Sequence, residues 1–329
     1  MNTANDTALK RYFKKRRKFF MNEKIQLITE SIAKAIVGKE DTIRKVIISL
    51  ICGGHLLIED VPGVGKTQLV SALARSVDGK FNRIQMTPDI MPSDITGFSM
   101  PDSQNRLEYH EGAVMCNFLL ADEINRASPK SQSSLLEAME EFQVTVDGIT
   151  RKLPSPFMVL ATQNPVETYG TYHLPEAQMD RFFMKISMGY PSADEEFQIL
   201  GKSDSGNSSA NIIQPAVKLN DINELKIQAG NVFVSDKIKN YIISIVNRTR
   251  NNESILLGIS PRGSIALYKA SRAEAFIKGR SFVSPDDVKY CAGAVLSHRI
   301  ILTPKGRLQY DSNEKAIAEI LNKIPVPVE

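Results

Sequence analysis

Apolar residues recur along this chain in two rhythms. Four short apolar runs, Leu56–Ile58, Phe118–Ala121, Met158–Ala161 and Phe183–Ile186, read as buried strands. Between them the spacing lengthens to three and four, as at Leu69, Val70, Leu73 and Val77, which marks one face of a helix. A second helix is predicted over Asp41–Ile51, reached through the turn Val37-Gly38. Alternation of the two rhythms from about Ile25 to Tyr190 predicts an α/β fold with a parallel sheet flanked by helices. Farther on only the helical rhythm continues. Ser235 caps a stripe of Ile238, Tyr241, Ile242, Ile245 and Val246, and Ser260-Pro261 opens another helix. Ser284-Pro285-Asp286-Asp287 combines a cap, a proline at the first helical position and acids in the first turn. A last amphipathic piece carries Ile317, Ile320 and Leu321.

Two segments interrupt the sheet pattern. Met86–Gly112 is rich in Pro, Asp, Ser and Gly and contains a hairpin pattern, Gly97–Met100 and Arg106–His110, around the turn Pro101–Asn105. Gln143–Val146 and Ile149–Lys152 flank Asp147-Gly148, a pair suited to a type I′ turn, and so read as a two-residue hairpin. Residues 201–216 form a polar loop rich in Ser and Gly. The organisation expected is a basic tail over 1–20, an α/β core over 21–190, a linker over 191–218 and an all-helical domain over 219–329.

Charge changes the picture only at the N-terminus. The formal net charge is +4, but residues 1–20 hold seven basic side chains against Asp6 alone, so the remainder is slightly acidic. The body is therefore not a basic nucleic-acid-binding surface by bulk charge. The tail reads as a solvated or disordered end, with a nucleic-acid or membrane-surface arm as the other reading, and no long apolar stretch follows it as in a secretory signal. No run of apolar residues is long enough to span a membrane. Cys52, Cys116 and Cys291 are scattered in apolar contexts and read as reduced core residues of a cytoplasmic protein. His55, His110, His173 and His298 lack the spacing of a zinc site.

The chemistry concentrates at the ends of the predicted strands. Glu59-Asp60-Val61-Pro62-Gly63-Val64-Gly65-Lys66-Thr67 joins a strand to a helix as a P-loop does. Backbone N–H groups of such a turn and the positive end of the helix hold phosphate oxygens. Lys66 would reach the β- and γ-phosphates, and the Thr67 hydroxyl would ligate Mg²⁺. Asp60 stands where the strict pattern has glycine, so its carboxylate is expected to point away from a triphosphate. Phe118-Leu119-Leu120-Ala121-Asp122-Glu123 ends a strand in two acids. Asp122 is the candidate Mg²⁺ ligand, and Glu123 the candidate for orienting the attacking water. Ala161-Thr162-Gln163-Asn164 brings an amide, Asn164, to a third strand end. Leu174–Phe182 reads as a helix ending at Arg181, a candidate arginine finger for a neighbouring subunit's ATP.

These motifs in order, Glu59–Thr67, Leu119–Pro129, Ala161–Pro165, Leu174–Phe182, Ser260-Pro261-Arg262 and Phe282–Val288, resemble the MoxR family of AAA+ ATPases, in the helix-2-insert clade related to magnesium-chelatase-type subunits. The resemblance covers about residues 25–329. It implies a P-loop AAA+ core with a helical lid, ATP and Mg²⁺ as cofactors, Asn164 as sensor 1, Arg181 as arginine finger and Arg262 as sensor 2. With it the nucleotide-binding set becomes Val37, Gly38, Pro62, Gly63, Val64, Gly65, Lys66, Thr67 and Gln68. Met86–Gly112 would be the helix-2 insert and Gln143–Lys152 the pre-sensor-1 hairpin. The resemblance also implies a homo-hexameric ring, and chaperone-like remodelling of protein clients in their maturation or metal-cofactor insertion. A protein with a von Willebrand factor A domain would be a partner.

Two readings of other classes stand beside this one. A nucleic-acid-acting motor on the same core would use the tail and hairpins, but the near-neutral body and lack of aromatic platforms argue against it. A non-catalytic scaffold switched by nucleotide is opposed by the intact Glu123. A small GTPase would carry N-K-x-D and an ABC-type ATPase LSGGQ; neither segment is present.

Overall fold

The computed structural model describes residues 22–165, 171–203 and 213–327. The basic tail 1–20 and much of the polar loop 201–216 lie outside them. In chain order, helices α1 (Glu23–Ala35) and α2 (Glu40–Cys52) precede β1 (Leu56–Glu59), α3 (Lys66–Ser76) and β2 (Phe81–Gln85). A short α4 (Pro92–Thr96) leads into the hairpin β3 (Gly97–Pro101) and β4 (Leu107–Glu111). Then come β5 (Phe118–Asp122), α5 (Pro129–Glu141), the hairpin β6 (Gln143–Val146) and β7 (Ile149–Lys152), and β8 (Met158–Gln163). A one-turn α6 (Glu176–Met179), β9 (Met184–Ile186) and α7 (Ala193–Ser203) follow. The C-terminal part holds α8 (Leu219–Gly230), α9 (Asp236–Arg250), β10 (Ile255–Leu257), α10 (Pro261–Ile277), α11 (Pro285–Leu296), β11 (Ile301–Leu302), α12 (Pro304–Tyr310) and α13 (Asn313–Lys323).

Five strands form one parallel sheet in the order β2-β5-β8-β1-β9. Both faces are covered, which is why the strands read as continuous apolar runs. Leu56, Ile58, Phe118, Leu120, Met158 and Leu160 face α1, α2 and α3. Leu57, Leu119, Ala121, Val159 and Ala161 face α5 and the base of the hairpins. The edge strand β2 escapes the apolar-run pattern because only Ile84 of its five residues is buried.

Both hairpins form as the pattern predicts, with Asp147 and Gly148 at φ 52° and 75° in the turn. Ser235, Ser260, Thr303 and Ser312 each accept a backbone N–H at the start of a C-terminal helix. Those helices are joined by a small antiparallel ribbon, β10 with β11. The segment expected as a linker from 191 opens with α7.

Leu174–Phe182 departs from the predicted helix through Arg181, because α6 stops at Met179. Buried Arg299 is the physical reason. Its guanidinium takes the Asp180 carboxylate at 2.7 Å and the carbonyls of Phe182 and Phe183 at 2.6 and 3.2 Å, which bends the backbone into a turn there. Residue 180 is thus tied to the C-terminal part, and the first apolar core continues from α1–α3 into α8–α13. Arg44 and Glu274, fully buried on the acid side, form a second tie between the two parts at 2.6 and 2.9 Å. Among the described residues no helix is long and apolar enough to cross a membrane.

Candidate nucleotide site

The C-terminal ends of the central strands open into a cavity of about 480 Å³. Val37, Pro62, Gly63, Val64, Gly65, Lys66, Thr67, Gln68, Asp122, Glu123 and Asn164 line it. Gly38 stands just behind this wall, with a φ of 71° that turns the chain between Val37 and Lys39. Ligands of parallel sheets bind at this edge, where connections leave in different directions.

The loop between β1 and α3 is built as a cradle. Gly63 and Gly65 take φ of 87° and 92°, a region L side chains avoid, and the space where a Gly63 side chain would lie is open. Lys66 Nζ folds back onto the carbonyls of Asp60 and Val61 at 3.0 and 3.3 Å, so its charge sits inside the loop. The Asp60 carboxylate points out of the loop, accepting from Ser187 Oγ at 2.9 Å, Gly189 N at 3.1 Å and Met188 N. It lines no part of the cavity and anchors the loop to the exit of β9.

The two acids at the end of β5 are held differently. Asp122 is 7 % exposed; Oδ1 accepts from the Thr162 hydroxyl at 3.2 Å and Oδ2 from Arg83 Nε at 2.7 Å. Glu123 has φ 57° and ψ 51°, and its N–H donates to the same Thr162 hydroxyl at 2.9 Å. Its carboxylate accepts from Gln85 Nε2 at 2.8 Å and Arg126 Nη1 at 2.9 Å. Arg83, Gln85 and Thr162 were not among the sequence-predicted residues. Period-two polarity over Arg83-Ile84-Gln85 was the available signal for the first two.

Arg181 and Arg262 lie elsewhere. Both ion-pair with Glu140 at the end of α5, Arg181 Nε at 3.1 Å from Oε2 and Arg262 through Oε1. They line a second cavity, of about 280 Å³, with Gly53, Gly54 and His55. Those residues precede β1, whereas the loop of the first cavity follows it. The two cavities therefore sit at opposite ends of a four-residue strand, roughly 13 Å long.

Known proteins resolve what this constellation belongs to. A profile of the ATPase family associated with various cellular activities (AAA) matches residues 55–184, and an AAA lid domain profile matches residues 247–320. Chaperone MoxR1 of Mycobacterium tuberculosis is 41% identical over 90% of this chain and 80% of its own length. Protein MoxR of Paracoccus denitrificans is 31% identical over 89% and 93%. The chain belongs to the MoxR family of AAA+ ATPases. The uncharacterized protein YeaC of Bacillus subtilis is 48% identical over 91% of this chain and 94% of its own. A crystal structure from Cytophaga hutchinsonii superposes with a TM-score of 0.86 at 39% identity, covering 93% of this chain and 95% of that one. Membership in the MoxR family makes the protein a nucleotide-binding ATPase with a helical lid, and the first cavity is where its glycine loop, lysine and acids converge.

Proposed function

We propose that this MoxR-family ATPase hydrolyses Mg²⁺-ATP in a homo-hexameric ring and uses the cycle to remodel protein clients. Lys66 and the loop N–H groups would hold the β- and γ-phosphates, with the purine side bounded by Val37 and the Val37-Gly38 turn. Thr67 and Asp122, a hydroxyl and a carboxylate in one cavity, are the hard oxygen donors that suit Mg²⁺. Bound there, the ion would neutralise charge on the transferred phosphoryl group. Glu123 would leave its partners Gln85 and Arg126 to orient the attacking water, and Asn164 would hydrogen-bond the γ-phosphate or that water.

The observation that carries the ring is the shared position of Arg181 and Arg262 at the far end of β1 from the glycine loop. Neither lines its own nucleotide cavity. A head-to-tail contact would bring one subunit's arginine end against the next subunit's loop end, and a rotation that closes gives a ring. Both arginines are then read as acting on a neighbour's ATP. Chaperone-like maturation of clients, including metal-cofactor insertion, and a partner with a von Willebrand factor A domain follow from likeness to the MoxR relatives.

The test pairs two variants. Lys66→Ala is expected to lose Mg²⁺-ATP binding. Glu123→Gln is expected to bind ATP with turnover reduced about 10²- to 10⁴-fold, and to sediment with ATP as a ring while retaining bound client. Wild-type nucleotide affinity in Lys66→Ala would refute the loop assignment, and a monomeric Glu123→Gln protein saturated with ATP would refute the ring.

A further inference from the structure

The edge strand β2 sends Arg83 and Gln85, two residues apart and so on one face, toward the nucleotide cavity. Arg83 lines that cavity together with Lys66, Thr67 and Asp122. Its Nε lies 2.7 Å from Oδ2 of Asp122. Asp122 is nearly buried, so its charge lacks water and needs a cation or donors close by. Thr162 supplies one neutral donor to Oδ1, and Arg83 supplies the opposite charge. The Arg83 side chain is 51% exposed and belongs to a strand with a single sheet neighbour. Its head can swing into solvent without disturbing either core.

We infer that Arg83 is a placeholder cation on Asp122, neutralising the carboxylate while the nucleotide site is empty and releasing it to Mg²⁺ when the metal-nucleotide complex binds. The inference rests on the reading of Asp122 as the residue facing the metal. A guanidinium held against the Asp122 carboxylate repels a divalent ion brought to the same group. Capture of Mg²⁺ by the site is therefore coupled to departure of Arg83. The coupling makes binding of Mg²⁺-ATP less favourable than the oxygen donors alone would allow. Free ATP, which makes no demand on Asp122, escapes that cost.

Equilibrium binding of a fluorescent, non-hydrolysable ATP analogue to the full-length chain, titrated with Mg²⁺, measures this without turnover. Arg83→Met keeps the apolar stem and removes the charge. Half-saturating Mg²⁺ is expected to fall about three- to tenfold, the size appropriate to an ion pair with one half-exposed partner. Affinity for the analogue in EDTA is expected not to rise. Arg83→Lys, which restores a cation, is expected to return the Mg²⁺ requirement toward wild type. An unchanged Mg²⁺ requirement in Arg83→Met overturns the inference. A raised requirement does too, since Arg83 would then be holding phosphate. If Arg83→Met does not fold, Arg83→Gln leaves a neutral donor on Asp122 and is expected to lower the requirement in the same direction. Failure of wild type to bind the analogue at saturating Mg²⁺ would instead remove the nucleotide reading of the cavity itself.

Discussion

Glu123 stands in the left-handed backbone region, where a non-glycine residue is uncommon and strained. The Thr162 hydroxyl explains how it is kept there. It accepts the Glu123 N–H and donates to Asp122, so one side chain sets the turn that separates the two acids. At the opposite end of β1, His55 is held in one electrical state. Its Nε2 meets the Met139 carbonyl and its Nδ1 accepts the Val159 N–H, both at 2.9 Å, which fixes a neutral imidazole. Burial lowers its pKa to about 4 from an ordinary 6.5. Protonation then favours the unfolded chain, so the stability His55 contributes is complete above pH 6.5 and is lost as the pH falls toward 4. Between pH 7 and pH 5 the loss is about 2 kcal/mol. His298, buried and lowered for the same reason, adds in the same direction. Urea unfolding at pH 7, 6 and 5 is expected to show this decline, and His55→Gln a shallower one. An equal slope in the variant would mean that His55 is not neutral in the folded protein.

Elements differ in how far the amino-acid pattern discloses them. β1, β5 and β8 are buried on both faces and announce themselves as apolar runs. The hairpin β6–β7 is specified by Asp147-Gly148. β2 is exposed on its outer edge, so it carries no apolar run and only the short alternation Arg83-Ile84-Gln85 marks it, which leaves Arg83 and Gln85 easily passed over although they hold both candidate acids. The end of α6 was also illegible, because the group that stops it, Arg299, comes from a distant part of the chain. Asp60 is the converse case. A mismatch to the strict P-loop pattern turns out to join the loop to β9, through three donors to one buried carboxylate. Asp60→Gly, which restores the strict pattern, is accordingly expected to destabilise the protein. Leaving the N–H groups of Met188 and Gly189 unpaired would cost about 3 kcal/mol. Thermal unfolding of the variant measures it. Stability equal to or above wild type would mean that these bonds do not hold the loop.

On the scale of the whole molecule, the lid is not a loose appendage. Arg299–Asp180 and Arg44–Glu274, each with one buried partner, tie it to the sheet domain, and the apolar core is continuous across the seam. Glu140 then brings Arg181 of the sheet domain and Arg262 of the lid to one point on the surface. No motif spacing discloses that meeting, since it depends on how the two parts pack. Its consequence is that the proposed finger and sensor travel as one unit toward a neighbour. If they complete that neighbour's site, an Arg181→Ala subunit binds ATP normally, hydrolyses its own ATP when a wild-type subunit supplies the arginine, and disables the wild-type site it adjoins. Arg181→Ala alone is expected to lose turnover about 10³- to 10⁵-fold, the range known for arginine fingers. Mixed with Lys66→Ala, which keeps Arg181 but does not hold ATP, it is expected to regain turnover, because one variant supplies the arginine and the other the intact nucleotide site. The regained turnover should disappear at concentrations where the ring dissociates. No regained turnover at concentrations that sustain mixed rings would mean that each subunit relies on its own arginines, and that the meeting at Glu140 serves only to hold the lid.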